Sequence, residues 1–340
     1  VIETTFAAIE DGRLLYRGHD SSLLAQAPFE AVARWALHGA ARGWSPPVTS
    51  PSPGDAPPVF RAPAGVADAR RTAGALPRSA THRDRQQVAV TAFAAADPLR
   101  YSLEPESVAS AAEALVAGMV DVLPALSSEP GEAVADRLWA RLTIKPLGAS
   151  ARQRLNAALV LLLDHDLAVS TLAARAAASA RANPYAVVTA GLGALDSPLH
   201  GNASRAAHRM LERVVRGDDP GRVVADTVVS GRGPVPGFGQ PLYPAGDPRA
   251  TVLLGMLAED PEAAGVAEAV RAVVGVVRGR TGLHPNVDLA LAALALASGM
   301  PDDAGEVIFA TGRTVGWVVH ALDEYSRAPL RLRPVGRYAG

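Results

Sequence analysis

Apolar residues along most of this chain recur at the three- or four-residue spacing of amphipathic helices. In residues 150–163, the apolar positions on one helical face are Leu155, Ala158, Leu159, Leu162 and Leu163. The last long helix is predicted from Pro301 towards Tyr325, with a core stripe of Ile308, Val315, Val319 and Leu322. The segment Val287–Met300 is apolar on nearly all sides, which is typical of a central helix. The pattern predicts an all-α fold.

Further helices are predicted at residues 28–38, 84–95, 105–126, 131–142, 171–182, 202–217, 249–259 and 261–278. Two stretches depart from helical spacing. Residues 1–20 combine short apolar clusters with turn residues, which indicates a small hairpin or an extended arm. Residues 45–63 contain seven prolines, which indicates a loop or a mobile connection.

An irregular segment, Val235–Arg249, lies between helical regions and is rich in Pro and Gly. A long irregular segment inside a helical protein is usually either functional or disordered, and an apolar anchor such as Phe238 favours the functional alternative. Gly237 and Gly239 allow backbone amides to approach a ligand closely. Arg249 ends the segment with a forked donor for a carboxylate or phosphate. The segment is therefore predicted to be a binding loop.

Composition limits the classes of function. The chain has 340 residues, of which 49% are hydrophobic and 20% are charged, and its net charge is -1. This balance is globular and provides no electrostatic footprint for nucleic acid or an anionic membrane. The absence of cysteine excludes disulfides, thiolate metal sites and cysteine nucleophiles, and it fits a reducing cytoplasm. Because no signal-like or membrane-length apolar segment is evident, we expect a soluble cytoplasmic protein.

Besides the loop, polar clusters interrupt apolar sequence at residues 164–166, 198–202 and 285–288. Their reactive side chains have structural alternatives to a functional role. His165 follows the Leu-rich helix and could cap it, and His200 could be held by backbone at a helix start. Asp288 could be the N-cap of its helix. Arg313, in the last helix, could reach the surface or form an ion pair.

No familiar cofactor motif is present. His165, Asp164 and Asp166 lack the i, i+4 spacing that places metal ligands on one helical face. The glycines around Phe238 do not form a dinucleotide fingerprint, and the G-x-S-x-G nucleophile elbow does not occur. We expect neither a bound metal nor a resident cofactor.

Taken together, these segments resemble the citrate synthase family. Residues 164–171 (D-H-D-L-A-V-S-T) resemble the family's D-H-E-L-N-A-S-T, and residues 197–203 (S-P-L-H-G-N-A) resemble G-P-L-H-G-G-A. The loop (V-P-G-F-G-Q-P-L-Y, ending in D-P-R) resembles V-x-G-F-G-H-x-x-Y with its D-P-R, and residues 285–288 match P-N-V-D. Further matches are residues 15–18 (L-Y-R-G), 313–320 (R-T-x-G-W-x-x-H) and 333–340 (R-P-x-x-x-Y-x-G). The resemblance covers nearly the whole chain and weakens between residues 39 and 80.

The resemblance implies a fold of two helical domains and a homodimer. The larger domain would comprise residues 1–199 and 301–340, and the smaller one residues 200–300. The resemblance also implies an acyltransferase that acts in the tricarboxylic acid cycle and joins acetyl-CoA or propionyl-CoA to oxaloacetate. Hydrolysis of the thioester would then give citrate or 2-methylcitrate and coenzyme A. The coenzyme A thioester would be a substrate, with no further cofactor.

The resemblance also assigns roles by position. Asp288 would be the base that removes the acyl proton, and His200 would be a neutral donor to the enol oxygen, kept uncharged by a helix N-terminus. The residues implied to bind the dicarboxylate are His165, Arg249, Arg313 and, contributed by the partner subunit, Arg333. The residues implied to contact coenzyme A are Val235, Gly237, Phe238, Gly239, Asn286 and, at its phosphates, Arg280 or alternatively Arg278.

One position departs from the family. Gln240 stands where the family has a His that polarises the oxaloacetate carbonyl and passes it a proton. A Gln amide donates a hydrogen bond but cannot give up a proton at neutral pH, and loss of general-acid help typically lowers a rate by about 10²–10⁴-fold. Two hypotheses follow. The protein is either a working synthase with a modified electrophile site, or a catalytically impaired paralogue that acts as a ligand-binding or partner subunit.

Overall fold

The computed structural model describes residues 2–43, 45–47, 57–197, 200–201, 203–231 and 233–339. Predictions that fall on residues 48–56, 198–199, 202 and 340 therefore lie outside the described residues. The helices are α1 Ser21–Leu24, α2 Phe29–Arg42, α3 Val66–Gly74, α4 His82–Ala96, α5 Pro105–Asp121, α6 Val134–Leu142, α7 Ala149–Leu161, α8 Val169–Ser179, α9 Pro184–Leu195, α10 Ala203–Val215, α11 Pro220–Gly231, α12 Pro248–Ala258, α13 Ala264–Thr281, α14 Val287–Ala297 and α15 Ala304–Tyr325. Strands in the described part of the chain are confined to residues 7–20, so the prediction of an all-α fold is confirmed.

Of the two alternatives predicted for the N-terminal segment, a hairpin or an extended arm, the structure has the hairpin. Its antiparallel strands, in sheet order, are β1 Ala7–Glu10, β2 Arg13–Tyr16 and β3 His19–Asp20. The first turn is Asp11-Gly12, and both residues have positive φ, as in a two-residue hairpin whose twist matches its strands. The Tyr16 hydroxyl donates to the Leu161 carbonyl at 3.1 Å. This bond ties the small sheet to the end of α7.

The long helix α15 lies at the centre of the larger core. All its side chains from residue 304 to 321 are buried, including Arg313 and Trp317. Helix α7 packs closely against it, since a Cβ on Gly316 would lie 2.0 Å from the Leu163 carbonyl oxygen. The contact requires glycine at this position, and it brings Arg313 beside the end of α7. The predicted final helix is confirmed, with its first turn at Ala304.

Buried apolar side chains form two clusters. The larger one draws on both ends of the chain, and the smaller one consists mainly of side chains from α10, α11, α13 and α14 with the irregular loop. Helix α14 lies between them, because Ala290 and Leu294 belong to the larger cluster and Leu289 and Ala293 to the smaller. The smaller cluster therefore packs directly on the larger one. The domain boundaries at residues 200 and 300 stay a prediction.

The apolar pattern does not predict α3, α9 or α11, and each has a physical reason. Helix α9 is apolar on nearly every side because it packs against several other helices, so no stripe stands out. Helix α11 buries only Val223 and Val224, and α3 buries only Ala69 and Ala73. Two buried residues per helix are too few to produce a recognisable period.

Candidate active site

A cavity of about 630 Å³ opens between α15, the start of α8, the start of α14 and the irregular loop. Most of the residues predicted from the sequence to form one site line this cavity. These are His165, His200, Val235, Gly237, Phe238, Gly239, Gln240, Arg249, Asn286, Asp288 and Arg313. Arg280 and Arg333 are not among its lining residues, and both are exposed. A single chain thus gathers the predicted site except for these two arginines.

His165 projects from the segment that follows α7. The helix ends at Leu161 with Leu162 as its C-cap, so His165 does not cap it. The ring is buried against Tyr243 at a centroid distance of 5.4 Å, and its Nε2 has no hydrogen-bond partner among the described residues. Burial, followed by the charges of Arg249 and Arg313, lowers the pKa of His165 well below its usual value. A neutral imidazole with an unused ring nitrogen therefore lines the cavity.

His200 lies in a turn just before α10. Its Nε2 is 2.7 Å from the Ser170 hydroxyl, and its ring meets Phe309 edge-on at 5.7 Å. Burial, and then the charges of Arg313 and Arg249, lower the pKa of His200 to about 4. The imidazole is therefore neutral at pH 7. Burial and two nearby cations account for this neutrality, whereas the resemblance implied a helix N-terminus as its cause.

Asp288 lies in the first turn of α14 and is not its N-cap. Asn286 has that position, because its side-chain oxygen accepts from the Asp288 amide at 3.0 Å. Desolvation raises the pKa of Asp288 to about 7, opposed by Arg249 and reinforced by Asp247. A carboxyl group with this pKa accepts a proton readily near neutral pH. The structural alternative for Asp288 is thereby removed, and its position suits a base.

Arg313 is fully buried and faces the cavity without a counter-ion of its own. Its Nε donates to the Leu162 carbonyl at 2.8 Å, while Nη1 and Nη2 have no partner among the described residues. The guanidinium lies 4.7 Å from the centre of the Phe309 ring. Burial lowers the pKa of Arg313 to about 10, so it remains charged at pH 7. Buried charge of this kind is costly unless an anion pairs with it. The Arg313 side chain neither reaches the surface nor forms an ion pair within the described part of the chain.

Arg249 reaches the same cavity but is already paired. Its Nε and Nη2 donate to the two carboxylate oxygens of Asp247 at 3.0 and 2.8 Å. Asp247 is also the N-cap of α12 and accepts from the Val287 amide at 3.0 Å. This bidentate pair fixes the guanidinium and joins the loop to both α12 and α14.

The irregular loop is ordered by α14 and the residues before it. Gly237 has φ +83°, and a Cβ there would lie 2.8 Å from the Leu289 side chain. The Asn286 amide donates to the Gly237 carbonyl at 2.9 Å, and its side chain donates to the Gly239 carbonyl at 2.9 Å. Phe238 is buried beneath the loop. Close backbone packing therefore accounts for Gly237, in addition to any approach by a ligand.

Gln240 lines the cavity beyond Gly239 and is half-buried. Its Oε1 accepts from the Leu242 amide at 3.4 Å, which is a long and weak hydrogen bond. Because the oxygen is turned to the backbone, the NH₂ group is the end that can meet a ligand in the cavity. Gln240 can therefore donate a hydrogen bond into the site.

Two supporting residues were not identified from the sequence. Ser170 contacts His200 across a separation of 30 residues, and Phe309 contacts both His200 and Arg313. Ser170 stands in the motif that contains His165, but nothing in the local spacing relates it to His200. Only the packing of α8 against the His200 turn and α15 places these groups together.

Two classes of site are not seen in the described residues. No group of three or more His, Asp or Glu side chains there has a geometry that could hold a metal ion. Within the same residues, no helix combines the length and apolar character needed to cross a membrane.

The family model for the citrate synthase C-terminal domain matches residues 1–335. The chain belongs to the citrate synthase family. This assignment confirms the resemblance that was based on the motifs around His165, His200, the loop and Asp288.

Curated relatives include proteins named citrate synthase and proteins named 2-methylcitrate synthase. The citrate synthase of Haloferax volcanii is 37% identical over 190 residues, which cover 54% of this chain and 49% of that protein. The 2-methylcitrate synthase 2 of Corynebacterium glutamicum is 29% identical over 191 residues, which cover 54% of this chain and 48% of that protein. The chain thus spans about half the length of the curated relatives that it matches.

Solved citrate synthase structures share the fold over the whole chain. The ternary complex of Thermoplasma acidophilum citrate synthase with carboxymethyl coenzyme A and oxaloacetate has a TM-score of 0.80 and 25% identity, covering 100% of this chain and 94% of that one. Thermotoga maritima citrate synthase has a TM-score of 0.77 and 22% identity, covering 100% and 93%. The predicted citrate-synthase-like fold is confirmed.

Proposed function

We propose that this protein condenses acetyl-CoA or propionyl-CoA with oxaloacetate and hydrolyses the thioester, giving citrate or 2-methylcitrate and coenzyme A. The observation that carries the proposal is the convergence in one cavity of a carboxyl with a raised pKa, a neutral imidazole and an unpaired buried guanidinium, namely Asp288, His200 and Arg313. A condensation of this type requires a base, a hydrogen-bond donor and a cation. Family membership supports the same class of reaction.

In the first step, Asp288 removes a proton from the carbon next to the thioester carbonyl. The C–H electron pair forms the enol double bond, and the carbonyl oxygen takes up the developing charge. His200 donates a hydrogen bond to that oxygen through Nδ1, while its Nε2 accepts from the Ser170 hydroxyl. The neutral imidazole is suited to this role, since it retains its proton as the charge develops.

Oxaloacetate binds at the end of the cavity with Arg313. The two unpaired Nη groups of Arg313 bind one carboxylate, and Arg249 and His165 complete that end. The bound substrate supplies the anion that this buried cation lacks in the empty cavity. A bound anion of the same kind, oxaloacetate, is present in the Thermoplasma acidophilum complex, which supports the assignment.

Coenzyme A lies along residues 235–239 and Asn286, with Arg280 directed at its phosphates. The loop's fixed backbone supports this role, since it is held to α14 by hydrogen bonds at both glycines. We further propose that residues 200–300 form a small domain that closes over the substrates and excludes water. The second apolar cluster in that part of the chain supports such a unit.

A second copy of the chain completes the site by contributing Arg333. This residue is exposed on the segment after α15, away from the cavity of its own chain. This position supports a homodimer in which each tail serves the other subunit.

Gln240 donates its amide hydrogen to the ketone oxygen of oxaloacetate but does not supply the proton that the new hydroxyl group needs. That proton comes from water, so the carbon–carbon bond forms more slowly than with a protonated His. No observation favours the alternative of an impaired paralogue, because the base, donor and arginines are retained.

The experiment follows free thiol release by the purified full chain from acetyl-CoA plus oxaloacetate, with propionyl-CoA run in parallel. The matched control is Asp288→Asn, which keeps the size of the side chain and removes the base. We expect release that requires both substrates and Asp288. Release no faster than the control with either acyl-CoA, while oxaloacetate still binds, would overturn the proposal.

A further inference from the structure

A buried chain of polar contacts starts at the cavity wall. Asp164 directly precedes His165, and its Oδ2 accepts from Nε2 of His320 at 2.7 Å. On the other side of the ring, Nδ1 of His320 lies 3.0 Å from Nη1 of Arg175. Because a guanidinium only donates hydrogen bonds, Nδ1 of His320 must accept one from Arg175. The ring proton is therefore on Nε2, which donates a hydrogen bond to Asp164. The three side chains are thus fixed in one orientation.

Arg175 continues the chain towards the end of α15. Its Nε donates to Oε1 of Glu324 at 2.7 Å, and its Nη2 donates to Asp323 at 2.8 Å. Glu324 in turn accepts at Oε2 from Nε of Arg331 at 2.7 Å. The side chains of Arg175 and Glu324 have no exposed surface. Contiguous polar contacts therefore connect the His165 segment with the residues after α15.

The segment after α15 is held on the end of α8. The Leu330 amide donates to the Ser179 carbonyl at 2.7 Å, and the Arg333 amide donates to the Leu330 carbonyl at 3.0 Å. Arg331 is therefore the side chain that anchors this segment to the buried network, only two residues before Arg333. The direction in which Arg333 leaves the subunit depends on this anchor.

Stability alone is a weak explanation for the network. Attraction between buried ions is largely offset by their desolvation, and apolar replacements are often as stable. Apolar packing does not fix direction, however, whereas a guanidinium bonded to three partners does. The direct partners of Arg175 all lie on α15. Two of them, His320 and Glu324, contact Asp164 and Arg331, which belong to two segments with separate roles in the proposed reaction.

We propose that Arg175 is a positioning residue that couples the two active sites of a dimer. Through His320 and Asp164 it positions His165 in its own subunit. Through Glu324 and Arg331 it positions the tail that carries Arg333 to the partner's site. The inference rests on the proposed function for the role of Arg333. It adds that one buried network positions both His165 and the segment that carries Arg333.

The tail end of the network is tested with Arg331→Gln. The matched control is Arg327→Gln, because the two side chains are 23% and 24% exposed. Arg327 pairs with Glu3 and with Oδ1 of Asp323, which is not the oxygen that accepts from Arg175, and its guanidinium forms no ion pair with Glu324. We expect Arg331→Gln to raise the KM for oxaloacetate at least tenfold with less than a threefold change in kcat. The control should stay within twofold of the parent protein in both constants.

Mixed dimers distinguish action across the interface from local damage. In the first, an Arg331→Gln subunit pairs with an Asp288→Asn subunit, so the competent site receives an unaltered tail and its KM should return to within twofold of the parent. In the second, both substitutions are in one subunit and the other is unaltered, so the competent site receives the altered tail and its KM should be raised tenfold. The proposal would be overturned if the KM were raised in the first mixed dimer, where the competent site is in the Arg331→Gln subunit, and were unchanged in the second, where the competent site receives the altered tail.

The coupling itself is tested with Arg175→Lys, which keeps the charge but loses the three-way contact. Hydrogen exchange should increase in both residues 163–168 and residues 328–339, and Arg327→Gln should change neither. An increase in only one of these segments would contradict coupling. This readout needs no turnover, so a protein that releases no thiol would overturn the proposed function while the exchange data still decide the inference.

Discussion

The two walls of the cavity hold their charged groups in different ways. One wall, formed by α15 and the segment after α7, presents Arg313 with two unpartnered nitrogens and His165 with a free Nε2. The other wall, formed by the loop and α14, presents Arg249 in a bidentate pair with Asp247. The first wall is held in place by the buried side chains around α15. The second is held in place by hydrogen bonds between its own polar groups.

This difference separates binding from stability. An unpaired buried cation opposes folding and gains a partner only when an anion binds. Arg313 on the α15 wall therefore lowers the free energy of unfolding and raises the affinity for an anionic ligand. A paired cation contributes to the fold before any ligand binds, and removing it leaves its partner unsatisfied. Substitutions on the two walls should therefore affect ligand affinity and the free energy of unfolding in different proportions.

The largest effect is expected from Asp288→Asn on the loop wall. The amide cannot accept the acyl proton, so kcat should fall by about 10³-fold or more, or at least 4 kcal/mol of barrier. Asn keeps the size of the side chain and removes a carboxyl whose pKa is raised by desolvation, so the thermal midpoint should not fall. Steady-state kinetics and thermal unfolding check the two statements. A fall in kcat smaller than tenfold would exclude Asp288 as the base.

The second effect compares the two arginines. Arg313→Gln should weaken oxaloacetate binding by about 100-fold, close to 2.7 kcal/mol, without lowering the free energy of unfolding. Arg249→Gln should also weaken binding, but it should lower the free energy of unfolding by about 3 kcal/mol because buried Asp247 loses its partner. Calorimetric titration and urea unfolding separate these results. Equal losses of stability would remove the distinction between the walls.

The third effect is a pH dependence that originates at Asp288. Its carboxyl must be ionised to act as a base, and its pKa is about 7, so kcat/KM for the acyl-CoA should fall about 20-fold from pH 7.5 to 5.5. His200, with a pKa near 4, remains neutral over this range. The free energy of unfolding changes with pH in the opposite direction to kcat/KM. The folded state favours the protonated carboxyl, so the contribution of Asp288 to the free energy of unfolding declines as pH rises from about 4 to about 7. A flat pH profile would indicate another base.

The smallest effect is a gain from Gln240→His. An imidazole there can give a proton to the ketone oxygen, so kcat should rise about tenfold. Gln240→Asn is the control, because it shortens the side chain without adding an acid. An unchanged rate in the His variant would mean that proton transfer at this position does not limit turnover.

Much of the site could be predicted because its residues lie in short motifs. The segments containing His165, His200, Gly237 and Asp288 can be recognised individually, and the structure brings them to one cavity. The pairing of Arg249 with Asp247 is also local, since the two are separated by one residue.

The remaining features depend on packing between distant segments. The contact of Ser170 with His200 requires α8 to lie against the His200 turn, and Gly316 is explained only by the approach of α7 to α15. Helix α9 has no apolar stripe because it is buried on most sides. The network around Arg175 links residues about 150 positions apart, and no local pattern indicates it.

The most direct test of the central claim is the fate of a ¹³C label in the acyl methyl group of acetyl-CoA. The label is followed by carbon NMR after incubation with oxaloacetate and the full chain, with Asp288→Asn as the control. We expect the label in a methylene carbon of citrate, because Asp288 removes a methyl proton and a carbon–carbon bond forms. Label that remains in acetyl-CoA, or appears only in free acetate, would contradict the proposed function.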